Sequence, residues 1–361
     1  MKNSFGNAIN ITLFGESHGA GVGVLIDGIA PGIKIDEDFI ANQLTLRRPS
    51  GKISTARREP DEYVIQSGVF GRYTTGAPLC IFIPNTDTRS RDYTPDLPRP
   101  SHADFTAREK YHGFEDYRGG GHFSGRLTAA LVAAGAIVIP ALREKGIYIG
   151  TCINQIGRIG LSEVPTSKEE LLAVAESEYG LVGDYAISMM KDTIELAAKE
   201  GDSIGGVLET AIIGLPAGLG EPWFDGVESQ IARAVFGIPA VKSVAFGAKD
   251  IELMRGSCAN DAFTVKDGKI ITATNNSGGI QGGITNGMPL IFRTAIKPTP
   301  SISQTQMTVN MATGEETSLD IKGRHDPCIV QRARIVLDSV AALVVADMLT
   351  VRYGSDALMQ K

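Results

Sequence analysis

The 361-residue chain contains only four cysteines and no apolar run long enough to cross a membrane. The cysteines are widely separated and form no C-x-x-C pair, which argues against a thiolate zinc site or a redox-active pair. Dispersed cysteines in a chain of this length are typical of reduced thiols in the cytosol. The longest apolar stretch, residues 127–142, is interrupted by Thr128, Gly135 and Pro140 and predicts a buried helix.

Signatures of several common function classes are also missing. The chain has neither a G-x-x-x-x-G-K-[ST] phosphate loop nor a G-x-G-x-x-G turn between a strand and a helix. It shows no zinc-type ligand motif, and we expect no metal site. The net charge of −6 argues against nucleic acid as the main partner. The opening MKNSFGNAINITLF lacks the long apolar region of a secretory signal, so we expect a soluble cytoplasmic protein without membrane association.

All five histidines lie in short runs dense in glycine, arginine, serine or aspartate. The runs are GESHG, RPSHAD, KYHGFEDYRGGGHFSGR and GRHDP, which hold His18, His102, His112, His122 and His325. Because the unperturbed pKa of histidine is the nearest to neutrality, these placements indicate a site that handles protons and anions together. For GESHG alone a surface turn is the alternative. The strand expected after GESHG disfavours a hydrolase nucleophile elbow.

A group of basic residues lies between positions 47 and 58: Arg47, Arg48, Lys52, Arg57 and Arg58. Guanidinium groups bind carboxylates and phosphates through paired hydrogen bonds, so this group suits a ligand with several anionic groups. A solvated surface is the first alternative explanation. An RNA-binding module is the second, although the stretch lacks the interleaved aromatic residues that stack on bases.

Glycine is unusually frequent, at 42 residues, and it is clustered. Residues 119–121 precede Ser124 and Arg126 at the start of the apolar stretch, and a helix N-terminus with exposed amides is a natural anion site. A second glycine loop, residues 275–283, is followed by KPTPS at 297–301, whose lysine and hydroxyl groups predict a phosphate or cofactor clamp. Tight turns are the alternative explanation for both loops.

Hydrophobic periodicity predicts a chain of mixed α and β structure. We expect strands at 9–14, 23–29, 63–70, 78–83 and 204–213, helices at 36–48, 124–144, within 165–200, at 225–236 and at 326–353, and a loop at 84–101. Asp36 is the expected N-cap of the first helix, and Asp326 with Pro327 is expected to start the last one. The pattern favours one α+β domain over residues 1–361, with sheets packed around central helices.

The ordered motifs of the chain resemble the chorismate synthase family. Over residues 14–328 the motifs occur in that family's order: FGESHG, RRP followed by RREPD, SGVFGRYTTGAPL, NTDTRSRDY, RPSHAD, DYRGGGHFSGR, GDSIGG, PAGLGEP, NNSGGIQGGI, KPTPSI and GRHDPC. Agreement of so many motifs in one order is highly specific. The resemblance implies a β-α-β sandwich and a homotetramer.

The resemblance also implies an activity. The family converts 5-enolpyruvylshikimate 3-phosphate to chorismate by anti-1,4-elimination of phosphate, a carbon–oxygen lyase reaction that completes the shikimate pathway to the aromatic amino acids. It requires reduced FMN (FMNH2) without net redox change. Most bacterial members receive reduced flavin from an external reductant, and a minority reduce it with NADPH. Because the hydrogen removed is not acidic, a cofactor that lends electron density supplies what side chains cannot.

The same resemblance implies roles for individual residues that occupy the family's motif positions. His18 is expected to protonate the departing phosphate, His102 to hold or protonate the flavin near N1, and Asp326 to lie near flavin N5. The expected substrate ligands are Arg48, Arg58 and Arg126, which match a substrate that carries two carboxylates and a phosphate. The expected flavin contacts are Ser124, Ala240, Gly282, Lys297, Thr299, Pro300, Ser301 and Arg324.

The chain departs from the usual family pattern at a few positions. Ser101 stands where glycine is usual, and His122 and Phe123 stand where an arginine and a serine are common. An ordinary flavin oxidoreductase is the alternative enzyme. It would share the cofactor but needs a nicotinamide or quinone site, for which the sequence shows no motif.

Overall fold

A computed structural model of the chain describes residues 2–49, 53–54, 59–88, 94–180, 183–321 and 325–359. The helices are α1 (Glu37–Arg47), α2 (Asp104–Tyr111), α3 (Thr128–Glu144), α4 (Lys168–Glu176), α5 (Asp184–Lys199), α6 (Val227–Val235), α7 (Gly256–Ala259) and α8 (Val330–Tyr353). The strands are β1 (Ser4–Phe5), β2 (Asn10–Gly15), β3 (Gly21–Asp27), β4 (Val64–Ser67), β5 (Val69–Phe70), β6 (Tyr73–Thr74), β7 (Leu79–Pro84), β8 (Tyr148–Ile156), β9 (Ile159–Gly160), β10 (Gly206–Ile213), β11 (Val241–Phe246), β12 (Phe263–Lys266), β13 (Lys269–Thr272), β14 (Ile280–Gln281), β15 (Ile284–Thr285), β16 (Leu290–Ile296), β17 (Gln306–Val309) and β18 (Glu316–Leu319).

Two antiparallel five-stranded sheets enclose a pair of central helices. The first sheet has the order β1-β2-β3-β7-β4, and the second has the order β11-β16-β10-β8-β9. Helix α3 packs against β3 and β7 of the first sheet, α8 packs against β8 and β10 of the second, and the two helices pack against each other. This arrangement confirms the α+β sandwich with sheets packed around central helices.

The apolar stretch that follows the first glycine cluster forms one of these central helices. Residues 128–139 of α3 are all buried, so the predicted buried helix is confirmed. Gly135 of α3 lies directly against Ser339 of α8, and a Cβ at this glycine would collide with it. The small residue therefore allows the two helices to approach closely. The expectation that no apolar run is long enough to cross a membrane is wrong by length and composition alone, because the described helical segment Gly125–Glu144 passes that test. Of its most apolar window, however, 89% is buried inside the protein, as in a core helix.

The last helix begins later than the sequence predicts. Helix α8 starts at Val330 with Ile329 as its N-cap residue, so the expectation that Asp326 and Pro327 start this helix is wrong. The backbone N–H of Ile204 donates to the carbonyl oxygen of Pro327 at 2.8 Å, so this carbonyl is held by another segment of the chain. Asp326 is therefore not the helix cap, and its carboxylate has another role.

Most other predicted elements are confirmed. The carboxylate of Asp36 caps α1 and accepts from the backbone N–H of Phe39 at 2.9 Å. The strand expected over residues 63–70 is divided into β4 and β5 at Gly68. That glycine has a φ of +85° and lies against Leu79, so the chain can turn there without a side chain in the way.

Candidate active site

The turn between β2 and β3 carries His18. Ser17 is completely buried, and its backbone N–H donates to the carbonyl oxygen of Gly121 at 3.0 Å. The turn therefore lies against the glycine cluster at 119–121. A Cβ built on Gly119 would lie 2.5 Å from Nε2 of His18, so the imidazole stacks directly on this backbone.

His102 contacts the same glycine cluster. A Cβ on Gly120 would lie 3.0 Å from Cε1 of His102, so His18 and His102 contact consecutive glycines. Nδ1 of His102 is 2.6 Å from Oδ1 of Asp104 and 3.0 Å from Nη2 of Arg99. Because a carboxylate only accepts, the shorter contact favours a proton on Nδ1 that is donated to Asp104.

Asp104 provides the negative charge beside His102. Burial opposes its ionisation, but hydrogen bonds from Arg99 and His102 outweigh burial and hold the pKa of this carboxyl well below its usual range. Asp104 is therefore a carboxylate at neutral pH. It accepts from His102 and thereby orients the ring.

Several of the predicted flavin-contact residues lie next to His102. The ammonium group of Lys297 donates to the carbonyl oxygen of Ser101 at 2.5 Å, and Nη1 of Arg99 is 3.5 Å from the hydroxyl of Ser301. Ser101 has a φ of +60°, a left-handed conformation that glycine adopts more easily, which is a physical reason for the usual glycine. The backbone N–H of Lys297 donates to the carbonyl oxygen of Ala240 at 2.9 Å.

Other predicted flavin contacts are more dispersed. Ser124 caps the short 3-10 turn before α3, and its hydroxyl accepts from the backbone N–H of Arg126 at 3.3 Å. Gly282 belongs to the β14–β15 hairpin, whose Gly283 accepts from the first residue of α6. Ala240 follows the other end of α6. Gly282 and Ala240 therefore lie near opposite ends of α6, a helix about 13 Å long.

Residues 203–204, which precede β10, connect the segment of Asp326 to the KPTPS segment at 297–301. The carbonyl oxygen of Pro327 accepts from Ile204, and the hydroxyl of Ser203 donates to the carbonyl oxygen of Thr299 at 2.7 Å. The carboxylate of Asp326, which is 8% exposed, also pairs with the guanidinium of Arg332. Asp326 is therefore a buried carboxylate held in place by an arginine.

The arginine group predicted to bind anions is partly buried in the protein. Arg47 is 3% exposed and pairs with Asp61 at 2.9 Å, so a solvated surface is the wrong explanation for this residue. Burial lowers the pKa of Arg47 to about 10. Arg48 is half-buried and donates to the carbonyl oxygen of Pro60 at 2.9 Å. The predicted ligands Arg58 and Arg324 lie outside the described residues.

Arg126 is also buried, and each of its three side-chain nitrogens has a protein partner. Nε donates to Oδ1 of Asn85 at 2.9 Å, Nη2 donates to the carbonyl oxygen of Pro84 at 3.0 Å, and Nη1 pairs with Asp61. Arg47 and Arg126 together outweigh the burial of Asp61 and lower the pKa of its carboxyl. A substrate anion would have to compete with these partners for Arg126.

These contacts form a closed ring that includes all three predicted catalytic residues. From the His18 turn, one half of the ring passes through the glycine cluster, His102 and the KPTPS segment to residues 203–204. The other half passes from there through Pro327 and Asp326, Arg332, Arg47, Asp61, Arg126 and Asn85, and returns to the His18 turn. Its residues come from segments that are more than 300 positions apart in sequence. The fold thus links imidazoles, a carboxylate and cationic groups from distant segments through one continuous series of contacts.

A cavity of about 340 Å³ lies beside this ring, between β2, α2 and the segment 114–123. Asp104, Gly120 and His122 contribute to its wall, whereas His18, His102 and Asp326 do not. The cavity therefore borders the ring from the side of α2.

Comparison with known proteins identifies the family to which these motifs belong. The family model described as chorismate synthase matches residues 9–350. The chain belongs to the chorismate synthase family. A chorismate synthase of Pyrococcus abyssi is 46% identical over 350 residues, which cover 96% of this chain and 97% of that protein. A chorismate synthase of Dehalococcoides mccartyi is 47% identical over 352 residues, which cover 96% of each chain.

A solved structure supports the same assignment. A crystal structure of a chorismate synthase superimposes with a TM-score of 0.76 at 29% identity, covering 97% of this chain and 94% of that one. Chorismate synthases are lyases, and this chain is accordingly a lyase of aromatic amino-acid biosynthesis.

His122 shows how this chain accommodates a departure from the usual family pattern. Its Nδ1 is 2.8 Å from the carbonyl oxygen of Gly15, and because a carbonyl only accepts, Nδ1 carries the proton and donates. His122 therefore holds the end of β2, immediately before the His18 turn.

Sequence reasoning missed Asn85, Asp61 and Asp104. Asn85 and Asp61 lie in NTDTRSRDY and RREPD, motifs that carried the family resemblance without an assigned role. Asp104 lies two positions after His102 in RPSHAD, and a carboxylate so near a candidate histidine was the available signal. For Asn85 and Asp61 no local pattern marks the partner, because their contacts are distant in sequence.

Proposed function

We propose that this chain converts 5-enolpyruvylshikimate 3-phosphate to chorismate by anti-1,4-elimination of phosphate, with reduced FMN as cofactor and no net redox change. The closed ring of contacts around His18, His102 and Asp326 is the observation that carries the proposal. A trianionic substrate and a phosphate-bearing flavin both need cationic groups and proton donors in one place. The ring contains both kinds of group.

The residues on the flavin side fit an anionic, hydrogen-bonding cofactor. The hydroxyl of Thr299 is buried and has no hydrogen-bond partner among the described residues, so it can satisfy a polar ligand atom. Burial, and then the charge of nearby Lys242, lower the pKa of Lys297, as expected for two cations placed close together. Lys297, Thr299 and Ser301 would therefore hold the flavin, with Ser124, Ala240, Gly282, Pro300 and Arg324 as further expected contacts.

Each predicted catalytic residue has a physical task in this reaction. His18 donates a proton to the departing phosphate oxygen and so neutralises the leaving group. His102, oriented by Asp104, holds a proton beside the flavin ring, and Asp326 accepts or holds one near flavin N5. Arg48, Arg58 and Arg126 hold the carboxylates and the phosphate of the substrate. When bound, reduced FMN supplies the electron density that the loss of a non-acidic hydrogen requires.

The same proposal includes the cellular setting of the enzyme. We infer a single domain over residues 1–361, since the family model covers most of the chain and α3 and α8 pack between both sheets. We further infer a cytoplasmic homotetramer that receives reduced flavin from an external reductant and does not bind nucleic acid or membranes. Size-exclusion chromatography with light scattering tests the tetramer.

An anaerobic assay tests the activity. Purified protein is mixed with the enolpyruvyl phosphate ester and dithionite-reduced FMN, and chorismate is followed by its absorbance together with released phosphate. We expect one phosphate per chorismate, and no product with oxidised FMN. No chorismate under these conditions would refute the proposal.

A second arm of this assay distinguishes the alternative enzyme. Oxidised FMN and NADPH replace dithionite, and NADPH oxidation is followed beside chorismate. Consumption of one NADPH for every chorismate formed would indicate a flavin oxidoreductase. Catalytic NADPH consumption would instead show that the chain reduces its own flavin.

A further inference from the structure

The side chain of Asn85 joins the two ends of the turn that carries His18. Its Nδ2 donates to the carbonyl oxygen of Glu16 at 2.9 Å and to that of Gly19 at 3.0 Å. Its backbone N–H donates to the carbonyl oxygen of Ala20 at 3.1 Å. One residue outside the turn therefore bonds carbonyls on both sides of His18 and sets the width of the turn.

The orientation of the Asn85 amide is determined by its neighbours. Only the amide nitrogen can donate to two carbonyls, and only the amide oxygen can accept from Nε of Arg126, which lies 2.9 Å away. Arg126 cannot readily turn away, because Asp61 and the carbonyl oxygen of Pro84 bind its other nitrogens. The amide thus has a single favourable orientation.

The backbone on the other side of Asn85 is also held. The carboxylate of Glu59 accepts from the backbone N–H of Thr86 at 3.0 Å and from its hydroxyl at 2.8 Å. Glu59 is 6% exposed, so these bonds lie inside the protein. The segment that carries Asn85 is fixed between Arg126 and Glu59, and it can transmit this rigidity to the turn.

We propose that Asn85 is a positioning residue for His18, and that the buried Asp61–Arg126 pair acts on catalysis by fixing the Asn85 amide. This inference rests on the proposed function, because it assumes that His18 transfers the proton. A proton donor must lie within hydrogen-bond reach of the leaving oxygen, so a turn that widens loses catalysis without losing the ligand.

The kinetic test is a double-mutant cycle of Asn85→Asp with His18→Ala, assayed with the enolpyruvyl phosphate ester and reduced FMN. Asn85→Asp keeps the shape of the side chain but removes both donors and points a carboxylate oxygen at two carbonyls. We expect kcat to fall about 10-fold to 100-fold in the otherwise unchanged protein, with less than about 2-fold change in KM. In the His18→Ala background, Asn85→Asp should lower kcat by less than about 2-fold, because the imidazole that Asn85 positions is absent.

A matched control and a second variant keep the test decisive. Asn154→Asp removes a similar donor, from Nδ2 to the carbonyl oxygen of Ser162 at 2.7 Å, in β8 of the other sheet. It should leave kcat within about 2-fold. Asn85→Ala should reproduce the kcat loss if Asn85→Asp does not fold. Equal losses in both His18 backgrounds, or an unchanged kcat in Asn85→Asp, would overturn the proposal.

A measurement without substrate separates this inference from the proposed function. Hydrogen exchange of the peptide covering residues 14–20 should accelerate about 10-fold or more in Asn85→Asp, since the turn loses two of its bonds, and should not change in Asn154→Asp. Unchanged exchange would refute the positioning role, even in an active enzyme. Faster exchange in a protein that makes no chorismate would refute only the proposed activity.

Discussion

Gly119 lies directly against the imidazole of His18, with room for hydrogen but not for a methyl group. A Cβ at this position would lie 2.5 Å from Nε2 and from Cδ2 of the ring. The φ of Gly119 is +60°, so a side chain here would also strain the backbone. The glycine therefore supports the ring of His18 at van der Waals distance.

Gly119→Ala should inactivate the enzyme by displacing His18. We expect kcat to fall about 100-fold, the usual effect of losing a positioned acid, while oxidised FMN still binds. Chorismate formation and flavin titration measure the two effects. Gly125→Ala is the control, because nothing lies within 4 Å of a Cβ there. Full activity of Gly119→Ala would show that His18 tolerates displacement.

Asp104→Asn should slow turnover through His102. The amide can still accept from Nδ1, but it loses the charge-assisted hydrogen bonds with Arg99 and His102 that fix the ring, so we expect kcat to fall about 10-fold or more. Asp96→Asn removes another arginine-paired carboxylate, whose side chain is 41% exposed, and should be nearly neutral. Equal kcat values in the two variants would argue against a role for Asp104 in orienting His102.

Asp326→Asn should reduce turnover without unfolding the protein. Because α8 begins at Val330, the change removes no helix cap. We expect a kcat loss of about 10-fold or more with oxidised FMN binding retained. Thermal unfolding and flavin titration of the same preparation check the two statements. Loss of the fold would mean that the pair with Arg332 is chiefly structural.

Asp338 should make stability depend on pH in an uncommon direction. Burial in α8 raises the pKa of its carboxyl from 3.8 to about 6, although the hydroxyl of Thr151 donates to it at 2.6 Å. The folded protein therefore binds a proton more tightly than the unfolded chain does. Its stabilising contribution is complete below about pH 4 and is lost as the pH rises through about 6.

Urea unfolding of Asp338→Asn beside the unchanged protein measures this contribution. The difference in free energy of unfolding, unchanged protein minus variant, should fall by up to about 3 kcal/mol between pH 4 and pH 7. Other carboxylates contribute equally to both proteins and cancel in the difference. A difference that is constant or rises with pH would contradict the prediction.

Asp347→Ala should destabilise the attachment of the N-terminal segment. The carboxylate of Asp347, 3% exposed in α8, accepts from the backbone N–H groups of Asn7, Ala8 and Ile9 at 2.9, 2.7 and 2.7 Å. Leaving these donors without a partner should cost about 2–5 kcal/mol in the free energy of unfolding. The exposed Asp192→Ala should change it by less than about 0.5 kcal/mol.

The sequence by itself was sufficient for elements whose signals are local. The Asp36 cap, the strands on either side of GESHG and the apolar α3 depend on residues a few positions apart, and such patterns survive in most tertiary contexts. The family could also be recognised from the sequence, because its motifs occur in order along the chain. The predicted roles of His18, His102 and Asp326 come from that order and stay predictions.

The tertiary structure decided which charged groups are buried in pairs and where the last helix begins. In the sequence, nothing distinguishes Arg47 and Arg126 from unpaired cations. In the structure both form ion pairs with Asp61, which lies 65 positions from Arg126. Pro327 is held by Ile204, so the helix starts after it. Both outcomes depend on contacts between distant segments, and the energy of such contacts exists only after the chain has folded.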